Sequence, residues 1–482
     1  MTTSEPAPAP VDDPGRKKKK KAVDPLEWTR DNIEAIAVAF LMALIIRCFC
    51  VEVFKIPTGS MEPTLYGDTK PTDMPPHHVG DRIMVDKVGL MLGPVDRYDV
   101  CVFRYPLDRS RNFIKRLVGQ PDEDLMIDAG DLWARPHQGG DGKFHIARKP
   151  ASKQVGIWLP VWPDTDTSRE TCRKLWDGAA DDCYLEGNVY DTSPANGRET
   201  AFRYHREVQG VYKGLGSNQR VYDLSLRFKA TFREGKGKLF VRNRRADGYG
   251  SFTVSIAADG TVSIDHEGGD EFTPSVPAPA PLKGGAIGAA EEIEVANFDG
   301  AVRVRVDGKE VLAWEYVDAH PGILNAVDPP VFQIQFGSEG GAVRFEDVTL
   351  GRDIFYWIPS NTCFAGKNVL SIPPGKYLAI GDNVGNSKDG RLWKERVVKL
   401  KDGTTITGDY ESQEAYPQES SKGKDGRYRM RDLDGTDHFF REEDIEDDGS
   451  GKPVWHPFVS REELVGKAMI VWWPLPRFKV IR

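Results

Sequence analysis

Between residues 128 and 356 the sequence alternates apolar and polar residues again and again between turns bearing Gly and Asp, and this property rules out a mainly helical protein. The segments "YDLSLRFKATF", "GKLFVRNR", "GSFTVSIAADGTVSI", "EEIEVANFDGAVRVRVDGKEVLAWEY", "VFQIQFG" and "AVRFEDVTLG" each place every second side chain on one face. A strand needs that period of two to bury one face and wet the other. Many such strands in succession bury their apolar faces by packing as two sheets, so residues 136–356 are expected to form a β-sandwich. The Pro/Ala/Gly stretch at 273–290 reads as a long loop inside it. With 48 glycines and 33 prolines in 482 residues, a loop-rich, mainly β chain with several cores is the natural expectation.

The N-terminus has a different texture. Residues 1–27 combine Ala/Pro repeats with "GRKKKKK" and cannot build a core, which predicts a solvated basic tail. Residues 33–53, "IEAIAVAFLMALIIRCFCVEV", are mostly apolar, and 35–46 contain no polar side chain. The longer run matches a hydrocarbon slab of ~30 Å, so 28–53 is expected to be one transmembrane helix with the lipid bilayer as its partner. Basic residues precede the apolar part, which predicts a cytoplasmic tail and an external remainder. The net charge of -8 lacks the basic excess that phosphate backbones require, so no nucleic-acid partner is expected. Of six cysteines, Cys172 and Cys183 could pair in an oxidising compartment. None of them has zinc-ligand spacing, and His77 and His78 read as a solvated loop, so neither metal nor cofactor is expected.

The chemistry concentrates in short blocks. "IPTGSMEPTL" follows the apolar segment and presents Ser60 on a turn set by Gly59, with Pro57 and Pro63 on either side. A serine hydroxyl is a weak nucleophile until a base takes its proton, and no histidine lies nearby. There is no Gly-x-Ser-x-Gly elbow either, which disfavours a Ser-His-Asp hydrolase. Lys115 in "NFIKRLV" is the candidate base, because apolar cover disfavours its ammonium form and lowers its pKa. Asp389 and Arg391, taken alone, would be a surface pair of little worth.

"FKIPTGSMEPTL", "GDRIMVDKV", "RYDVCVFRYP" with "NFIKRLVGQPDEDL", and "GDNVGNSKDGR" with "LVGKAMIVW" together resemble the type I signal peptidase family, membrane-anchored serine proteases with a Ser/Lys dyad. The resemblance implies Ser60 as nucleophile and Lys115 as general base, with the Ser60 amide and the Thr58 hydroxyl as oxyanion donors. It further implies that Ser387 orients the lysine and that Asp389, Arg391 and Arg116 form a supporting network. Gly390 stands where the family often has a second serine. Substrate-binding walls would come from Phe54, Ile56, Pro57, Met61, Leu65, Val102, Phe113 and Ile114. The implied partners are signal-peptide-bearing pre-proteins cut after Ala-x-Ala, at the outer face of a bacterial cytoplasmic membrane. The catalytic domain would comprise 54–135, 357–400 and 455–482, interrupted by the sandwich and by a hydrophilic insertion at 401–454. The sandwich itself resembles concanavalin-like or laminin-G-like jelly rolls, and carbohydrate or protein are the ligands such a module could take. The other reading, a membrane-tethered adhesion protein with a vestigial protease part, is opposed by intact Ser60, Lys115, Ser387 and Asp389.

Overall fold

A computed structural model describes residues 25–68, 79–162, 175–178, 183–186, 188–193, 198–212, 215–268, 274–282, 291–322, 330–364, 366–412, 416–448 and 453–481. The basic tail up to residue 24, His77, His78 and Cys172 lie outside them, and with Cys172 the expected Cys172–Cys183 pair. Cys50, Cys101 and Cys363 are free thiols. The chain falls into two units, one ending at Glu52 and one starting at Val53.

The first unit carries helix α1, Pro25–Ile45, which ends in a π-helical turn at Ile46–Cys50. Strand β1, Val51–Lys55, begins immediately afterwards. This corrects the helix expected over 28–53. The first two turns of α1 mix Glu27, Thr29, Arg30 and Asp31 with Leu26 and Trp28, and the end of the apolar run, rich in Val and Phe, goes to a strand because β-branched and aromatic residues fit the pleat better. Among the described residues no helix is long and apolar enough to cross a membrane. Ile33, Ile36, Val38, Phe40, Leu41 and Met42 of α1 are exposed.

In the second unit, β2 (Arg82–Asp86), β3 (Val100–Tyr105), β4 (Asp108–Gly119), β5 (Lys376–Ile380) and β6 (Leu464–Trp473) join β1 in one sheet of order β1-β2-β6-β3-β4-β5, continued by Phe458–Ser460. β3 and β4 form a hairpin in which Cys101 lies opposite Lys115 and Val102 opposite Ile114. β5 pairs with β4 although most of the chain's length separates them in sequence. Everything between these two neighbours is therefore an excursion from a single sheet. It begins with a four-stranded sheet ordered Val369–Ile372, Glu123–Asp128, Asp131–Pro136, His145–Ile146.

The sandwich follows as expected from the alternation. One sheet contains Val343–Arg352, Leu224–Phe232, Glu291–Phe298, Ala301–Val306 and Lys309–Glu315 as consecutive neighbours, and the other contains Thr261–Glu267, Ser251–Ala257, Lys238–Asn243, Ile334–Glu339 and Glu199–Tyr204. Phe202, Phe228, Phe336 and Phe345 meet between them, with Phe336–Phe345 centroids 5.0 Å apart in an edge-on arrangement that aromatic quadrupoles favour.

The region at 401–454, charged enough to read as a solvated excursion, has a core of its own. Lys394–Leu400 pairs with Thr405–Asp409, a second hairpin joins Tyr428–Arg431 to Asp437–Phe440, and Val398, Ile406, Tyr416, Tyr428, Met430 and Phe440 pack together. Its apolar residues are few and widely spaced, so their clustering could not be read along the chain.

Candidate active site

Ser60 sits in a single 3-10 turn, Gly59–Met61, entered from the extended Thr58. The turn is held from across the molecule. The Asn383 amide donates to the Ser60 carbonyl at 3.1 Å, and Asn383 Nδ2 donates to the Gly59 carbonyl at 3.0 Å. Gly381 is the place where only hydrogen fits: a Cβ there would collide with both the Ser387 hydroxyl and the Ser60 carbonyl.

Lys115 Nζ lies 2.5 Å from Ser60 Oγ. The lysine is 4% exposed and the serine 7%, so the contact is dry. The ammonium donates to the hydroxyl, and when the amine is neutral its lone pair can accept the hydroxyl proton along the same line. Burial pulls the Lys115 pKa from 10.5 down to about 8; Asp389 and Asp382 oppose this by favouring the charged form, and Arg391 assists it. Phe113, two residues earlier on the same strand, brings its ring centroid to 5.7 Å from Nζ.

Two buried ion pairs frame the Ser60–Lys115 contact. Arg391 meets Asp389 through Nε and Nη2, both at 2.8 Å, and its Nη2 also donates to the Val384 carbonyl at 2.7 Å. Both side chains are buried, which corrects the surface reading of this pair. Arg116 was expected in that same network; instead it forms its own bidentate pair with Asp382, at 2.8 and 2.7 Å. Asp382 and Asn383 are neighbours of the Ser60 turn that sequence reasoning passed over. Their signal was an acid and an amide directly after the apolar strand "KYLAIG". Ser387 also departs from expectation: its hydroxyl is buried beside the serine turn and has no hydrogen-bond partner among the described residues, so it does not orient Lys115 by one. At Gly390 a side chain would strike the Pro457 carbonyl and Leu378, which explains the missing second serine.

The expected substrate walls divide. Ile56, Met61, Leu65, Val102 and Ile114 pack in one cluster with Phe54 at its edge, whereas Phe113 belongs to another with Phe103, Tyr105 and Trp393. Met61 and Leu65 are fully covered and serve as core beneath the turn rather than as open walls. Pro57 and Thr58 are exposed, and the Thr58 hydroxyl does not cap the turn.

Away from the dyad, the carboxylates of Asp131, Asp223 and Asp299 lie within 4.8 Å of one another, a spacing that could hold a cation. Lys149 already pairs with Asp299 at 2.5 Å, and burial, with the neighbouring acids, pushes the Asp131 carboxyl well up and the Asp223 carboxyl up to about 7.

Residues 29–138 match the family model described as signal peptidase, peptidase S26. Over that stretch the chain is similar to the S26 signal peptidases. A signal peptidase I from Pseudomonas fluorescens is 44% identical over 94 residues, covering 17% of this chain and 29% of that protein. One from Pseudomonas aeruginosa is 38% identical over 122 residues, covering 21% and 39%, and signal peptidase I T of Bacillus subtilis is 29% identical over 141 residues, covering 29% and 64%. The chain thus spans less than two thirds of each of these signal peptidases. Among solved structures, a protein with a galectin-like fold from Bacillus subtilis aligns with 41% of this chain and 98% of its own at 10% identity and a TM-score of 0.27.

Proposed function

We propose that this signal peptidase relative is a membrane-bound serine endopeptidase that removes N-terminal signal peptides from exported pre-proteins, cutting after small residues in an Ala-x-Ala pattern. The observation that carries the reading is the 2.5 Å contact between a buried Lys115 amine and the Ser60 hydroxyl. In this mechanism neutral Lys115 takes the Ser60 proton as Oγ attacks the scissile carbonyl, forming the C–O bond of a tetrahedral intermediate. The Ser60 amide and the Thr58 hydroxyl donate to the oxyanion from a turn that Asn383 already fixes. Lys115, now protonated, delivers the proton to the leaving amine, and water activated by the same lysine then releases the acyl group. Branched walls from Ile56 and Ile114 leave room for Ala, Gly or Ser before the cut and exclude bulk. In this reading the protein sits at a bilayer with the basic tail on the cytoplasmic side and the peptidase outside; the apolar run at 33–53, preceded by lysines, and the exposed apolar residues of α1 support it.

The full chain, solubilised in detergent, is expected to cut a pre-protein after its Ala-x-Ala site, and Ser60→Ala to leave the pre-protein intact. Mass analysis of the product fixes the cut position, and processing by Ser60→Ala would remove the nucleophile from this account. The base must be neutral to act, so activity rises with pH and levels off above about 8, the lysine's value in this site. A kcat/KM profile whose acidic limb is centred near the ordinary histidine value instead would contradict a lysine base.

A further inference from the structure

The region at 401–454 is tied to the strands that carry Ser60's partner Lys115, and one buried carboxylate is part of the connection. Asp409 is buried at the end of Thr405–Asp409. Its Oδ2 accepts from Tyr105 Oη at 3.1 Å and from Lys388 Nζ at 2.9 Å, and its Oδ1 accepts from the Glu411 amide at 3.0 Å. It therefore links three pieces of chain: the inserted subdomain, the end of β3, and the loop bearing Ser387 and Asp389. Tyr105 is completely buried and lies flat on Phe113, with centroids 4.3 Å apart and planes 7° from parallel. Trp393 closes the other side, 5.3 Å from Tyr105 and 6.2 Å from Phe113. Phe113 is the ring beside the Lys115 amine. Further contacts grip the same hairpin: the Arg109 amide donates to the Leu433 carbonyl at 2.8 Å, and the Arg109 side chain meets Asp434 at 2.9 Å.

We propose that Asp409 is a positioning residue through which the inserted subdomain holds the Tyr105–Phe113 stack over Lys115 and so keeps the general base dry. This inference rests on the Ser/Lys reading and extends it. Burial and the adjacent Asp409 push the Tyr105 hydroxyl far above its ordinary value, so it remains a donor to Asp409 throughout the working range. The groups facing Lys115 are Ser60, Asp389, Asp382 and Arg391, with Cys101 opposite it on β3. Loosening the stack alters none of these charges. It admits water, weakens the desolvation that favours the neutral amine, and lets the Lys115 value climb back toward 10.5.

The test is the pH dependence of pre-protein cleavage by the full chain, comparing wild type, Asp409→Ala and Asp409→Asn. Asp409→Ala is expected to move the acidic limb upward by about one pH unit, which is an approximately tenfold loss of activity at pH 7 that is regained at high pH. Asp409→Asn, which keeps an acceptor for Tyr105 but loses the charge that holds Lys388, is expected to move it less. A merely structural role would lower activity by the same factor at every pH, and a limb that stays in place would overturn the proposal. If Asp409→Ala does not fold, Tyr105→Phe keeps the stack and removes only the donor, and is read by the same criterion. Lys115→Met separates the two levels: cleavage by that variant refutes the dyad, whereas its inactivity together with an unmoved limb in Asp409→Ala refutes only the role of Asp409.

Discussion

Lys115→Met is expected to lower pre-protein cleavage about 10⁴-fold while making the folded chain more stable at neutral pH. The loss follows from removing the amine that contacts the Ser60 hydroxyl and can take its proton, and general-base contributions reach that size. The gain follows from linkage. In the folded chain the amine protonates at about 8, and in the unfolded chain at its ordinary 10.5, so the unfolded state binds the proton more tightly. Below pH 8 both states are charged and burial costs the fold the full difference, about 3 kcal/mol. Between 8 and 10.5 that cost fades, and above 10.5 it is gone. Methionine fills similar volume without a charge, so denaturant unfolding should show Lys115→Met more stable than wild type at pH 7 and equal to it near pH 11. A variant that is less stable at pH 7 and still cleaves would remove both the base and the dry site. The two expected effects have one origin, since the burial that would let this lysine act as a base near neutral pH also opposes folding.

How much of this was legible in sequence depended on the range of each interaction. The Ser60 turn is local, so Gly59 and the flanking prolines announced it, and Lys115 stood out as a charge inside "NFIKRLV". The sandwich was legible because period-two alternation is a property of each strand taken alone. Asp382 was missed because its partner Arg116 is 266 residues away and nothing local to "GDN" specifies a salt bridge. Ser387 was given a hydrogen bond it does not make, since one rotamer decides that and no pattern encodes it. The end of the apolar N-terminal run was misread because hydropathy there suits a helix while Val51, Val53 and Phe54 suit a strand, and β1 is taken up by the sheet alongside β2. The 401–454 region was misread for a related reason: its charges stand in the sequence, but the meeting of Val398, Ile406, Tyr428 and Met430 is tertiary.

Asp382→Ala is expected to cost about 3–5 kcal/mol of stability, because it strands a buried guanidinium. Arg116 would lose two of its charge-assisted bonds, those from Nε and Nη2, and retain the bond from Nη1 to the Tyr98 carbonyl at 2.8 Å. Water cannot replace the carboxylate without opening the sheet, since neither side chain of the pair is exposed. The ionic pair is not itself needed for packing, so Arg116→Met combined with Asp382→Leu should recover most of the loss. Activity should separate from stability here. Asp382 lies between Gly381, which packs against the Ser60 carbonyl, and Asn383, which holds the Gly59 and Ser60 carbonyls, so displacing it loosens the nucleophile's turn. The double variant is therefore expected to melt near the wild-type temperature yet cleave more slowly, with kcat falling more than KM rises, because an alignment made for the transition state has been disturbed. A loss below about 1 kcal/mol for Asp382→Ala would mean that Arg116 finds another partner on relaxation, and the pair would then be a consequence of the fold near Ser60 rather than what holds it.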